Sequence, residues 1–222
     1  MNYISKKERN SFMTGLAGQN IVYCFIGASF FQYFMTDIAA FPASVVGVLL
    51  ILMKLWDGIN DPMMGTLVDN TKTKFGKYRP WIMIGSCCNA VVLSLMFTNP
   101  GFELGGIPLY IYVAVLYVLW GMTNTMADIP YWSMVPSFTN DPKDRNLVAT
   151  VARTFSGIGQ GLVSIITPLV LPILSDGMTT TDKGYSASGF SKWAIICGIA
   201  LVFFAVICVL STKERNVVYN KE

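Results

Sequence analysis

Six long apolar blocks divide this chain, with short polar joints between them. They run over about 15–36, 43–68, 81–97, 108–135, 147–174 and 192–210. A helix that crosses a bilayer needs roughly 17–25 mostly apolar residues, and every block meets that length. None shows the period-two alternation of a membrane β-barrel strand. Only 13% of the residues are charged and 53% are hydrophobic, whereas a soluble domain carries about 25% charged residues. The expected fold is therefore all-α and integral to the membrane, with six transmembrane helices in one bundle.

Several chemistries are removed at once. The chain has no His, the commonest transition-metal ligand and general base near neutral pH. Its five Cys fall in apolar blocks without a Cys-x-x-Cys pair, which reads as buried small hydrophobes rather than a zinc site or disulfide framework. No cofactor motif and no nucleophile–base pair is visible, so no enzyme is expected. The net charge of +3 is not a nucleic-acid footprint, because the basic residues follow membrane topology. Lys6, Lys7 and Arg9 precede the first block. Lys72, Lys74, Lys77 and Arg79 fill the second joint, Lys143 and Arg145 the fourth, and Lys213, Arg215 and Lys221 the tail. The alternate joints hold only Lys183, with Lys192 at the edge of the sixth block. By the positive-inside bias, both ends face the cytoplasm and the protein lies in the cytoplasmic (inner) membrane.

The remaining charges lie inside the apolar blocks. The second carries Lys54, Asp57 and Asp61, with Asn60 between them and Pro62 after. A charge near the bilayer centre costs at least about 2.5–3.5 kcal/mol on insertion scales and usually marks a pathway. Helical spacing puts Lys54, Asp57, Asn60 and Asp61 on one broad face, and Pro62 frees the carbonyl of Gly58. Such a group of oxygens suits a small monovalent cation or a proton. Asp61, Asp128 in the fourth block and Arg153 in the fifth each lie on the order of 12 Å from the same membrane edge, at 1.5 Å per residue. A shared polar cavity requires such a common depth. Direct pairing of Arg153 with Asp128 as helix–helix glue is the competing reading. Three carboxylates against Lys54 and Arg153 leave one negative charge for a cation or proton to neutralise.

The fourth block carries a second polar face: Gly121, Asn124 or Thr125, Asp128 and Trp132. An aromatic ring beside a carboxylate suits a sugar, whose C–H face stacks while its hydroxyls donate; Trp132 also fits an interfacial aromatic belt. The fifth block aligns Arg153, Gly157, Gln160 and Ser164, and the first aligns Asn20, Tyr23 and Gly27. The glycines read as sites of close helix packing. An intramembrane aspartyl protease is disfavoured, since Asp57 and Asp61 share one helix and no Gly-x-Gly-Asp stretch accompanies them. No selectivity loop points to a channel.

The run Trp56-Asp-Gly-Ile-Asn-Asp-Pro-Met-Met-Gly65 resembles the second-helix signature of the glycoside–pentoside–hexuronide:cation symporters, the melibiose permease-like carriers of the major facilitator superfamily. The joint Asp69-Asn-Thr-Lys-Thr-Lys-Phe-Gly-Lys-Tyr-Arg-Pro-Trp81 is similar to that family's cytoplasmic loop. Trp120-Gly-Met-Thr-Asn-Thr-Met-Ala-Asp-Ile-Pro-Tyr-Trp-Ser133, Asp141-Pro-Lys-Asp-Arg145 and Arg153 also match. The likeness covers almost the whole chain.

The resemblance implies sodium- or proton-coupled symport of a glycoside by alternating access, through twelve helices in two six-helix bundles. This chain would be the amino-terminal half, with a carboxyl-terminal half or a second copy of itself as partner. The alternative is a half-bundle that does not transport. The resemblance places sodium, lithium or a proton at Asp57, Asn60, Asp61 and Thr125; no other metal is implied. It places the sugar at Asp128, Trp132 and Arg153, with Asn20 and Asn124 at two further positions. There the chain departs from the family's galactoside pattern: Asn20 stands for an Asp, Gln19 for a Lys and Asn124 for a Tyr. The loop of Asp69, Lys72, Lys74, Lys77 and Arg79 is either topogenic charge or a latch on the cytoplasmic gate.

Overall fold

The computed structural model describes residues 5–27, 30–98, 107–138, 141–175 and 184–214. The described residues are helices joined by short connections. Those helices are α1 (Lys6–Gly27), α2 (Phe30–Tyr33), α3 (Ala43–Asp69), α4 (Arg79–Phe97), α5 (Ile107–Phe138), α6 (Pro142–Leu174) and α7 (Ala187–Ser211). A single π-helical stretch, Phe34–Ile38, continues α2. With α1 and α2 taken as one span, six are long and apolar enough to cross a membrane. Lys183, Arg215 and Lys221 lie outside the described residues.

Several helices begin in polar residues outside their apolar blocks. α1 starts at Lys6 and not near Gly15. Ser5 and Glu8 close a reciprocal capping box: the Glu8 N–H donates to Ser5 Oγ (3.1 Å), and the Ser5 N–H donates to a Glu8 carboxylate oxygen (3.0 Å), which satisfies two otherwise orphaned donors. α6 starts at Pro142, before the expected 147, because Asp141 caps it by accepting from the Lys143 N–H at 2.9 Å. Pro142 at its first turn lacks only a donor that would be unpaired anyway. α7 starts at Ala187, before the expected 192, because the Ser186 hydroxyl accepts from the Gly189 N–H. α5 runs on to Phe138, past the expected 135, through Pro136.

The core has two apolar clusters. One gathers Phe25, Phe31, Phe34, Phe97, Tyr117 and Phe190 at one end of the bundle. The other gathers Phe12, Met64, Ile82, Tyr131, Phe138 and Cys208 at the end that holds Asp69. Between them lies a band where Gln19, Asn20, Asn60, Thr125 and Ser156 are buried. In packing order the helices run α6–α1–α7–α4–α5–α3. Small residues set the close approaches. A Cβ on Gly159 of α6 would lie 2.5 Å from the Ala17 carbonyl oxygen of α1, and one on Gly85 of α4 would lie 2.7 Å from the Ala127 nitrogen of α5. The two ends of this arc, α3 and α6, are the least covered: 17% and 22% of their most apolar windows are buried, against 44% for α4.

Candidate functional site

A cavity of about 650 Å³ opens on the concave side of the arc. Asn20, Lys54, Asp57, Asp61, Asn124, Thr125, Asp128, Trp132 and Arg153 all line it. They come from α1, α3, α5 and α6, so the charges at common depth face one space.

The α3 carboxylates have different partners. Asp57 Oδ2 lies 3.1 Å from Lys54 Nζ, one turn earlier, and the Lys54 side chain is 75% exposed. Asp61 Oδ1 accepts from the Thr125 hydroxyl of α5 at 3.1 Å. Gly121 leaves room opposite: a Cβ there would lie 2.8 Å from the Met53 methyl and 3.6 Å from Asp57 Oδ1. Asn60 departs from the expected grouping. It is 0% exposed, does not line the cavity, and neither of its amide heteroatoms has a hydrogen-bond partner. It sits about 60° around α3 from Asp57 and about 100° from Asp61, in the packed interface and not on the cavity wall.

The second group joins α5 and α6. The Arg153 guanidinium carbon lies 5.1 Å from the centre of the Trp132 ring, a cation–π arrangement. Asp128 sits one turn before Trp132 on the same wall. Among the described residues Arg153 forms no ion pair with Asp128, so the glue reading gives way to a stacked Arg–Trp pair beside a carboxyl. Trp132 faces the cavity rather than an interfacial belt.

Asn20 lines the cavity, but its polar atoms are already engaged. Nδ2 donates to the Leu16 carbonyl (2.9 Å) and to Ser156 Oγ (3.0 Å), and Oδ1 accepts from Gln160 Nε2 (2.8 Å). It ties α1 to α6. Gln19 Nε2 donates to Asn124 Oδ1 at 2.9 Å, which ties α1 to α5.

The loop between α3 and α4 is anchored to its own bundle. Lys77 Nζ lies 2.9 Å from Asp69 Oδ1 with the lysine side chain only 5% exposed. Arg79 Nε donates to the Val209 carbonyl at 2.8 Å. Glu214, which sequence reasoning missed, accepts from the N–H groups of Lys77, Tyr78 and Arg79 at 2.6, 2.9 and 3.0 Å. A carboxylate on these first donors of α4 also complements the helix dipole. The only signal for it was an acid set between Lys213 and Arg215 in a basic tail. Lys72 and Lys74 are exposed.

Charged residues of several membrane-length helices thus converge on one cavity. The sequence profile described as "MFS/sugar transport protein" matches residues 11–222, and the chain belongs to that family of multi-pass membrane transporters. It is 30% identical over 96% of its length to the inner membrane symporter YicJ of Escherichia coli (strain K12), covering 44% of that protein. It is 32% identical over 88% of its length to the raffinose carrier protein of Pediococcus pentosaceus, covering 30%. It is 30% identical over 94% of its length to a lactose permease of Leuconostoc lactis, covering 34%. The chain thus spans less than half the length of these curated relatives.

Proposed function

We propose that this chain is the amino-terminal bundle of a cation-coupled sugar symporter. The observation that carries the reading is the convergence of Asp57, Asp61 and Thr125 with Asp128, Trp132 and Arg153 on one cavity. The Asp61 carboxylate and the Thr125 hydroxyl, with Asp57 a turn away, form the oxygen set for the coupling ion, sodium or lithium or a proton. Asp128 accepts sugar hydroxyls, Arg153 donates to them, and Trp132 stacks on the C–H face. Cation binding raises sugar affinity, and linkage makes the effect reciprocal. Rocking of two bundles around this site gives alternating access, with both ends of this chain on the cytoplasmic side.

The second bundle is a carboxyl-terminal six-helix half or a second copy of this chain. The sparse coverage of α3 and α6 and the share of its relatives that the chain spans support the need for one. The test is uptake of radiolabelled galactosides, pentosides and uronides into vesicles that carry this chain with and without a related carboxyl half. Sodium, proton or no gradient is imposed. Gradient-driven uptake that requires the added half and disappears in Asp61→Asn is expected. Uptake indifferent to both gradients would remove the coupling. Absence of uptake with both halves present would leave the non-transporting half-bundle.

A further inference from the structure

Three side chains inside the bundle, none of them on the cavity wall, carry buried polar atoms that no protein group satisfies among the described residues. The atoms are Gln19 Oε1 on α1, and Ser86 Oγ, Asn89 Oδ1 and Asn89 Nδ2 on α4. Gln19 is 1% exposed, and Ser86 and Asn89 are 0%. A Cβ on Gly85 would meet the Met126–Ala127 backbone of α5, and one on Gly198 of α7 would lie 3.2 Å from Ala90 Cβ. So α4 turns Gly85 to α5 and Ala90 to α7. At about 100° per residue, Asn89 and Ser86 fall about 40° and 100° around the helix from Gly85, and Ala90 about 140°. Both polar residues therefore face between α5 and α7, into the interior of the bundle. Their depth matches that of Gln19. The Tyr112 hydroxyl donates to the Leu95 carbonyl, while Gly85 meets Ala127. α4 and α5 thus run antiparallel, and Asn89, one turn past Gly85, falls on the Asn124 side of that contact. Gln19 Nε2 donates to the same Asn124. α7 separates α1 from α4 in the packing order, and no direct hydrogen bond joins Gln19 to Ser86 or Asn89. Burying such atoms unpaired is costly, and a buried water typically makes about 3 hydrogen bonds to groups of this kind.

We infer that Gln19, Ser86 and Asn89 hold an ordered water in this interior, and that through it Asn89 acts as a positioning residue for Asn124. The Asn89 amide and the Ser86 hydroxyl supply donors, and Gln19 Oε1 and Asn89 Oδ1 supply acceptors. The water accepts from α4 and donates to Gln19 Oε1. With Oε1 held, Gln19 Nε2 stays on Asn124 Oδ1 at 2.9 Å, which fixes the Asn124 amide at the cavity wall. Asn124 Nδ2 is the end left to donate to a sugar hydroxyl. That last step rests on the carrier reading above, whereas the water site does not.

Unfolding midpoints in detergent test the water. Asn89→Leu keeps the branched shape and removes the polar atoms. With a water in place, it strands Gln19 Oε1 and Ser86 Oγ and is expected to lower the midpoint. Combined with Gln19→Leu, it is expected to cost less than the two changes separately, since both act on one water. A midpoint that rises in Asn89→Leu means a dry interior relieved of an unpaired amide, and overturns the water. A fall that simply adds to that of Gln19→Leu is a packing effect and overturns it too. Equilibrium binding of a panel of methyl glycosides to the two-bundle carrier tests the positioning. Asn89→Leu is expected to weaken the best ligand several-fold in the parent and to have no further effect in an Asn124→Ala background. Binding unchanged in Asn89→Leu, or a loss that persists without the Asn124 amide, overturns the positioning role while the carrier reading stands. A parent that binds no glycoside overturns the carrier reading and the positioning role together, and leaves the water to the unfolding data.

Discussion

Asp57 and Asp61 are one helical turn apart and do different things. Asp57 already has an ammonium at 3.1 Å, while Asp61 has only a neutral hydroxyl. In the proposed coupling, a cation competes with Lys54 for Asp57 but meets no ion-paired lysine at Asp61. Lys54→Met is therefore expected to tighten apparent cation affinity severalfold, and Asp61→Asn to weaken it at least about tenfold, read from the cation dependence of sugar binding. A looser site in Lys54→Met would show that the lysine helps to build the site instead of shielding it. At the opposite end, Glu214 gathers three backbone donors. Glu214→Ala is expected to destabilise the protein by about 1–3 kcal/mol, seen as a lower unfolding midpoint in detergent. Gly76 is required beside it: φ is +110°, and a Cβ would lie 2.5 Å from the Glu214 carboxylate. The Lys77–Asp69 pair sets a pH limit. Burial works to lower the Lys77 pKa, but the hydrogen bond to Asp69, with the charges of Tyr78 and Asp69, outweighs it and raises the value above 10.5. A raised folded value stabilises the fold fully below 10.5, and the contribution is lost as pH rises through the folded pKa. Unfolding midpoints of the parent and Asp69→Asn are expected to differ by a constant amount across neutral pH and to converge only above pH 10.5.

At the scale of the helices, the membrane-facing lengths were legible because apolar runs must match the bilayer. The ends were less so, since they are set by polar caps outside those runs. The Ser5-x-x-Glu8 box, Asp141 before Pro142 and Ser186 before α7 were in plain sight as sequence signals. They lay beyond the apolar stretch from which each helix was read. The common depth of Asp61, Asp128 and Arg153 could be counted from the joints because a helix rises uniformly, and it led to one cavity. Asn60 and Asn20 could not be placed that way. Spacing along one helix gives a face, while the partner on a neighbouring helix decides whether a side chain lines the cavity or holds the bundle together. The same applies to Gly159, whose closeness to Ala17 no local pattern reveals. Gly159→Val is expected to push α1 from α6, lower the unfolding midpoint and cost about 1–3 kcal/mol, the range for an overpacked interface. Gly161→Val on the same helix has open space at its Cβ and is expected to leave the midpoint within experimental error.

The whole molecule is an arc with two bare ends. Ile51, Leu55 and Ile59 on α3, and Ile158, Leu162 and Ile165 on α6, are exposed and apolar. They lie on the two end helices, which also supply Asp57, Asp61 and Arg153 to the cavity. Lipid can cover the isoleucines without loss, because association of membrane helices has no hydrophobic driving force of the aqueous kind. It cannot cover Asp57, Asp61, Asp128 and Arg153, since each charge in hydrocarbon costs several kcal/mol. The polar wall, more than the apolar flanks, is therefore the surface that the proposed second bundle has to cover. Ile199 on α7 is equally exposed, on a helix that contributes nothing to the cavity lining. A spin label at Ile59→Cys, in a background without the five native cysteines, is expected to lose mobility when the second bundle is added. A label at Ile199→Cys is expected to keep its mobility. Immobilisation at both positions would place the partner elsewhere, and a label at Ile59 that is immobile in this chain alone would identify a second copy as the partner.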